Sequence, residues 1–88
     1  QDVIGIMGNV LDIASLEKVA EEIVAQWGQI DILLNIAGGN MPGATIAPTG
    51  TFFDLKVEEF ERVLNVNLTG TVIPTQIFLR SLSVYDLW

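Results

Sequence analysis

Apolar residues recur along this chain in two rhythms, and each rhythm assigns an element. Val3 to Met7 is a short apolar run, as in a buried strand. Asn9-Val10-Leu11-Asp12 turns the chain. Asp12 or Ser15 can cap the helix that follows by accepting bonds from its free first-turn amides. Leu16, Val19, Ala20, Ile23, Val24 and Trp27 fall three and four apart and form one helical stripe. Gly28 suits the left-handed conformation common just past a helix end. Ile30 to Leu34 is apolar almost throughout, as expected for a parallel strand covered on both faces. Strand, helix and strand in about thirty residues predict a right-handed βαβ unit.

Gly38 to Thr51 is a loop rich in Gly, Pro, Thr and Asn, with no structure of its own expected; such long loops are usually functional or mobile. A second helix is expected from about Asp54–Val57 toward Leu82. Its apolar positions are Val57, Phe60, Val63, Leu64, Leu68, Val72, Ile73, Ile77 and Phe78, a stripe wide enough to predict burial on more than one side. Pro74 lies inside this run. Its ring crowds the carbonyl of Gly70, so a kink or loosened turn is expected between those two residues. Ser83 to Trp88 carry no clear pattern, and Tyr85 reads as a surface or tail aromatic.

Composition narrows the function. Half of the 88 residues are hydrophobic, which argues against disorder. Four Lys and Arg against eleven Asp and Glu give a formal charge of −7. That balance argues against nucleic acid and against anionic membrane surfaces, both of which recruit basic side chains. The chain has no Cys, so disulfides and thiolate metal sites are excluded, and no His, the commonest general base and metal ligand. No metal site is expected. No apolar run approaches the ~20 residues of a membrane span, and no signal peptide is visible, so a cytoplasmic location is expected. The start at Gln1, directly before a strand-like run, reads as truncated.

Candidate chemistry gathers at two places. Asn35-Ile36-Ala37-Gly38-Gly39 follows the second strand, and ligands in open α/β sheets bind beyond the carboxyl ends of strands. Ala37, Gly38 and Gly39 are small enough for a flat ligand to lie against backbone, and Asn35 can tie loops together. The alternative is a simple strand-to-loop turn. Asn65-Val66-Asn67-Leu68-Thr69-Gly70 sets amides inside an apolar helix. Asn67 either satisfies nearby backbone or, beside a loosened turn, holds a water or orients a base. Asp31 and Asp54 border this end as carboxylates, but Asp31 reads as a strand opener and Asp54 as a helix cap. Gly5, Gly8, Gly38, Gly39 and Gly43 do not form a phosphate cradle, because no helix opens at a suitably spaced set.

In this order and spacing, the motifs resemble the middle of a short-chain dehydrogenase/reductase, over roughly residues 3–82. Asn35-Ile36-Ala37-Gly38 resembles the family's Asn-Asn-Ala-Gly motif, with Ile36 in place of the second Asn. Asn67 matches the asparagine of the family's catalytic tetrad, which helps hold a water in a proton relay to the active lysine. Asn9-Val10 resembles the family's Asp-Val pair beside the cofactor adenine, with Asn for Asp. The resemblance implies an α/β fold: a partial Rossmann domain (doubly wound, parallel sheet) with a βαβ-α segment, spanning 1–88 from the third strand to the fourth major helix. It also implies NAD or NADP as cofactor, a small-molecule carbonyl or alcohol substrate, and a homo-oligomer in the complete form. Asn67 would be catalytic, and Asn9, Val10, Asn35, Ala37 and Gly38 would line the cofactor. Gly38-Gly39-Asn40, its loop and Pro74-Thr75-Gln76 are further similar to the short-chain type of D-mannonate oxidoreductase (fructuronate reductase).

The family's Thr-Gly-x-x-x-Gly-x-Gly loop and its Tyr-x-x-x-Lys pair do not occur in these 88 residues. The chain alone is therefore expected to be inactive. An alternative is a non-catalytic module that associates through its long apolar helix. In the family's strand order, 3-2-1-4-5-6, the two strands here are not neighbours, which leaves a gap of roughly 14 Å between them. Unpaired strand edges and bare apolar faces are the expected consequence.

Overall fold

The computed structural model describes residues 2–82. Helix α1 runs Ile13–Trp27. Its start is set by Asp12, whose carboxylate accepts the Ser15 amide at 3.2 Å, so the cap is Asp12 and not Ser15. Its end is set by Gly28, whose φ of 87° is the left-handed conformation that a side chain would resist.

The second helical run comes in three pieces: α2 (Val57–Leu64), a π-helical segment (Asn65–Thr69) and α3 (Gly70–Leu79). Glu58 and Glu59 in the first turn of α2 and Arg62 in its last turn complement the helix dipole. Asp54 does not cap this helix. It closes a short 3-10 turn, Phe52–Asp54, by accepting the Thr51 amide at 2.7 Å, while Lys56 precedes α2 without a side-chain cap. The preceding loop also contains a 3-10 turn, Pro42–Ala44, and the Lys56 amide donates to the Gly43 carbonyl at 2.8 Å.

The loosened turn lies one turn earlier than Pro74 predicts. Gly70 donates its amide to the Asn65 carbonyl, five residues back, and α3 continues through Pro74. A side chain enters the ladder there: Asn67 Nδ2 donates to the Val63 carbonyl at 2.9 Å, the acceptor that its own backbone amide takes in a regular α-helix. One long apolar helix is therefore absent among the described residues, and with it the element on which the association module depended.

The core is small. Leu16 and Ala20 of α1, Ile30 and Phe78 of α3 are buried, with Val19, Ile23, Leu33, Ile73, Ile77 and Leu82 packed around them. Burial of the second helical run is one-sided, contrary to its wide stripe. Gly70, Pro74 and Phe78 are buried, whereas Val57, Phe60, Leu64, Leu68 and Val72 are exposed.

The two strand-like runs form no ladder with each other. The described residues hold one parallel bridge, Ile30 to Leu82, in which the Ile30 amide donates to the Ser81 carbonyl at 3.0 Å. The βαβ-α segment thus keeps its helices but not its sheet. A strand exists only when a neighbour takes its amides and carbonyls, and these runs are not neighbours in the expected order. Ile32, Leu34 and Ile36 are left bare. The radius of gyration, 17.0 Å, compares with about 12 Å for a closed domain of this length. Ser83 to Trp88, including Tyr85, lie outside the described residues.

Candidate functional site

Three i−4 side-chain bonds follow one another down a single face of the second helical run. Asn67 Nδ2 bonds the Val63 carbonyl at 2.9 Å, Thr71 Oγ1 the Asn67 carbonyl at 3.2 Å, and Thr75 Oγ1 the Thr71 carbonyl at 2.7 Å. Residues four apart stack on one helix face, so these side chains make a polar row in an apolar helix.

The row faces the segment after Leu34. Asn35 Nδ2 donates to Thr75 Oγ1 at 3.1 Å. Asn67 grips Gly39 from both sides: Nδ2 donates to the Gly39 carbonyl at 2.7 Å, and Oδ1 accepts the Gly39 amide at 2.9 Å. An amide side chain that pairs with one residue's N–H and C=O imitates a strand neighbour, and it fixes the turn at that point. Both Nδ2 hydrogens are then spent, which leaves one Oδ1 lone pair. A β-carbon on Gly38 would lie 2.5 Å from Asn67 Oδ1, so only glycine lets the turn sit this close. Asn35, Ala37, Gly38, Gly39 and Asn67 all remain exposed.

The structure thus brings Asn35, Gly38 and Asn67 together through one polar seam, with Ala37 inside the same segment. Val10 reaches the other side of the π segment: its methyl group lies against Gly70, where an added β-carbon would meet it at 2.9 Å. Asn9 is spent on its own turn. Its Oδ1 accepts the Leu11 amide at 2.9 Å, and its amide donates to Ser15 Oγ at 3.1 Å. Among the carboxylates, Asp31 accepts from Gln29 Nε2 at 3.0 Å and Asp54 is held in its turn, so neither joins the seam. Thr71 and Thr75 are the participants to which the motifs gave no role. The Asn/Thr residues at 67, 71 and 75, four apart, are the signal that finds them.

An apolar depression of about 570 Å³ lies among Ile23, Trp27, Ile30, Leu33 and Phe78. It sits at the amino end of the second apolar run, the wrong end for a ligand in an open α/β sheet. A more open depression of about 480 Å³ adjoins the seam, lined by Asn40, Met41, Pro42, Thr45 and Ala47. Asn40 Nδ2 donates to Thr45 Oγ1 across it at 2.8 Å. No helix among the described residues is long and apolar enough to cross a membrane.

The described residues hold helices and a glycine turn but no sheet, so the α/β, Rossmann-type class rests on the chain's relatives. Residues 1–85 match the family model described as short chain dehydrogenase, and the chain belongs to that family. An uncharacterized oxidoreductase from Haemophilus influenzae is 38% identical over 84 residues, which cover 84% of this chain and 30% of the relative. Among solved structures, a provisionally assigned D-mannonate oxidoreductase from Haemophilus influenza with bound NAD superposes with a TM-score of 0.72 at 37% identity, over 83% of this chain and 30% of that one. A tyrosine-to-phenylalanine variant of ElxO with NADPH bound gives a TM-score of 0.65 at 26% identity, over 82% and 27% of the two chains. The chain therefore spans about 30% of the length of the relatives it matches.

Proposed function

We propose that this chain is the middle of a nicotinamide-dependent oxidoreductase, and one part of a single NAD(P)-binding Rossmann domain from the third strand to the fourth major helix. When bound, the nicotinamide supplies or accepts the hydride exchanged with a carbonyl or alcohol carbon. The observation that carries this reading is the Asn67–Gly39 pairing beside Gly38. It holds a turn of very small residues open to solvent, where a flat ring can lie against backbone. Ala37 and Gly38 line the cofactor on this side, with Asn35 anchoring their segment through Thr75. Asn9 and Val10 form the turn beside the cofactor's adenine end, with Val10 docked on Gly70.

Asn67 supports the proton relay mainly by position. Its Nδ2 hydrogens are committed to Gly39 and Val63, so a relay water meets the second lone pair of Oδ1 or the carbonyls of the opened turn. D-mannonate and D-fructuronate are the substrates we assign. Supporting them are the 37% identity to the NAD-bound Haemophilus influenza protein and the polar groups of Asn40 and Thr45 in the depression beside the turn. NAD and NADP both remain candidates, as NAD occupies one relative and NADPH another. We further assign the complete form to the cytoplasm, as a homo-oligomer that covers the exposed Leu64 and Leu68.

The test is a chimera in which these residues replace the matched segment of the Haemophilus influenza protein. It is expected to bind NAD(H) and to oxidise D-mannonate. Asn67→Ala within it should lower turnover by about a hundredfold, the low end for a proton-transfer group. Failure of the chimera to bind NAD(H) would overturn the cofactor reading. Turnover with other alcohols and not with D-mannonate would overturn the substrate. The 88-residue chain by itself is expected to transfer no hydride, and measurable transfer would remove the need for a phosphate loop and Tyr-x-x-x-Lys pair.

A further inference from the structure

We propose that Thr71 is the positioning residue for Asn67: its hydroxyl, donated to the Asn67 carbonyl, holds the opened turn in the register that aims the Asn67 amide at Gly39. The inference rests on the reading of Asn67 as the site's central residue, and it adds a residue to which no role is attached.

The argument begins with what an opened turn needs. In the π segment the backbone ladder shifts from four residues to five, as the Gly70 amide on the Asn65 carbonyl records. Such a shift is rare and costs hydrogen-bond geometry, so something local must favour it over the regular helix. The Asn67 side chain satisfies the Val63 carbonyl from within the ladder. The Asn67 carbonyl in turn receives the Thr71 hydroxyl at 3.2 Å. Threonine is suited to this, because its Oγ1 can bond the carbonyl four residues back, a contact that valine of the same branched shape cannot make.

The pull on Thr71 comes from both ends of the row. Its hydroxyl holds the Asn67 carbonyl, and its own carbonyl accepts the Thr75 hydroxyl at 2.7 Å. Thr75 in turn receives Asn35 Nδ2 at 3.1 Å. Thr71 is therefore the link between the two asparagines that anchor the 35–39 segment. Asn35 and Gly39 are four residues apart in that segment, and their partners Thr75 and Asn67 are eight apart on the helix. Thr71 is the midpoint of the row that carries both anchors.

Amide hydrogen exchange by NMR on the 88-residue chain tests this without any turnover. The readouts are the Gly39 amide and the Asn67 side-chain amide. Thr71→Val should speed exchange at both by about tenfold, the scale of one intramolecular hydrogen bond. Thr71→Ser, which keeps the hydroxyl, should restore protection. In an Asn67→Ala background, Thr71→Val should add nothing at Gly39, because both act through the same bond. Unchanged exchange in Thr71→Val would overturn the proposal. So would additive effects in the double variant or no restoration by serine, since either marks Thr71 as a general helix stabiliser. These outcomes leave the cofactor reading standing. If Asn67→Ala by itself leaves Gly39 protected, the seam is wrong and the proposed function loses its support.

Discussion

The apolar runs 3–7 and 30–34 look alike in sequence and fare differently in the fold. Both are short, apolar and followed by an asparagine turn. The first is held by little: Ile4 and Ile6 are half-buried, Met7 is 96% exposed, and the run ends in a turn closed by its own Asn9. The second is fastened at its start and, through the segment that follows it, beyond its end. Ile30 is buried and bonded to Ser81, Asn35 is bonded to Thr75, and Gly39 is bonded twice to Asn67. Both runs still leave an apolar face bare, with Val3 on one and Ile32, Leu34 and Ile36 on the other. Hydrophobicity therefore marks where a segment can be buried, while the helix laid across it decides whether it is placed.

The sharpest way to break the contrast is to remove the pad beneath the second run. Phe78→Ala deletes a core ring from a four-residue core and is expected to cost about 3–5 kcal/mol, enough to unfold the chain in a urea titration. A variant that melts as late as the parent would show that the core lies elsewhere.

Next come the glycines. Gly38→Ala puts a methyl group against an Asn67 amide that is tied at Gly39 and Val63 and cannot swing aside freely. A cost of about 1–3 kcal/mol is expected, with loss of Gly39 amide protection. Gly39→Ala, where no atom lies within 4 Å, should cost less, and equal effects would break the assigned geometry.

Asn35→Ala unties the segment at its other anchor and should cost about 1 kcal/mol, a typical net hydrogen bond. Combined with Thr75→Val it should cost no more than the single changes predict, and the shortfall measures the bond. Smallest of all, Gly5→Ala in the first run meets nothing within 4 Å and should stay within about 0.5 kcal/mol of the parent by chemical denaturation. A large loss there would mean that the first run is as firmly placed as the second.

Much of the helical part was legible in the residues. Asp12, the three-and-four spacing and Gly28 bound α1, because caps and periodicity are local physics. Asn35, Gly38 and Asn67 stood out as polar or minimal residues in apolar settings, and they do meet. Pro74 misled by one turn. Proline is the usual helix breaker, yet the ladder opens beside Asn67, whose side chain bonds the Val63 carbonyl. The wide stripe misled as well, since apolar positions on several faces report what a helix is able to bury and not what arrives to cover it.

Helix α1 with its caps, the small-residue turn and membership of a dehydrogenase family follow from the residues alone, because they depend on near neighbours or on motif order. Which distant groups meet is a property of the folded chain: Asn67 pairs with Gly39, Thr75 receives Asn35, and Val10 packs on Gly70. The difference is physical. A cap or a helical stripe is satisfied within a few residues, whereas the Asn67–Gly39 and Asn35–Thr75 bonds join positions 28 and 40 apart, and nothing short of the folded chain brings them within 3.1 Å.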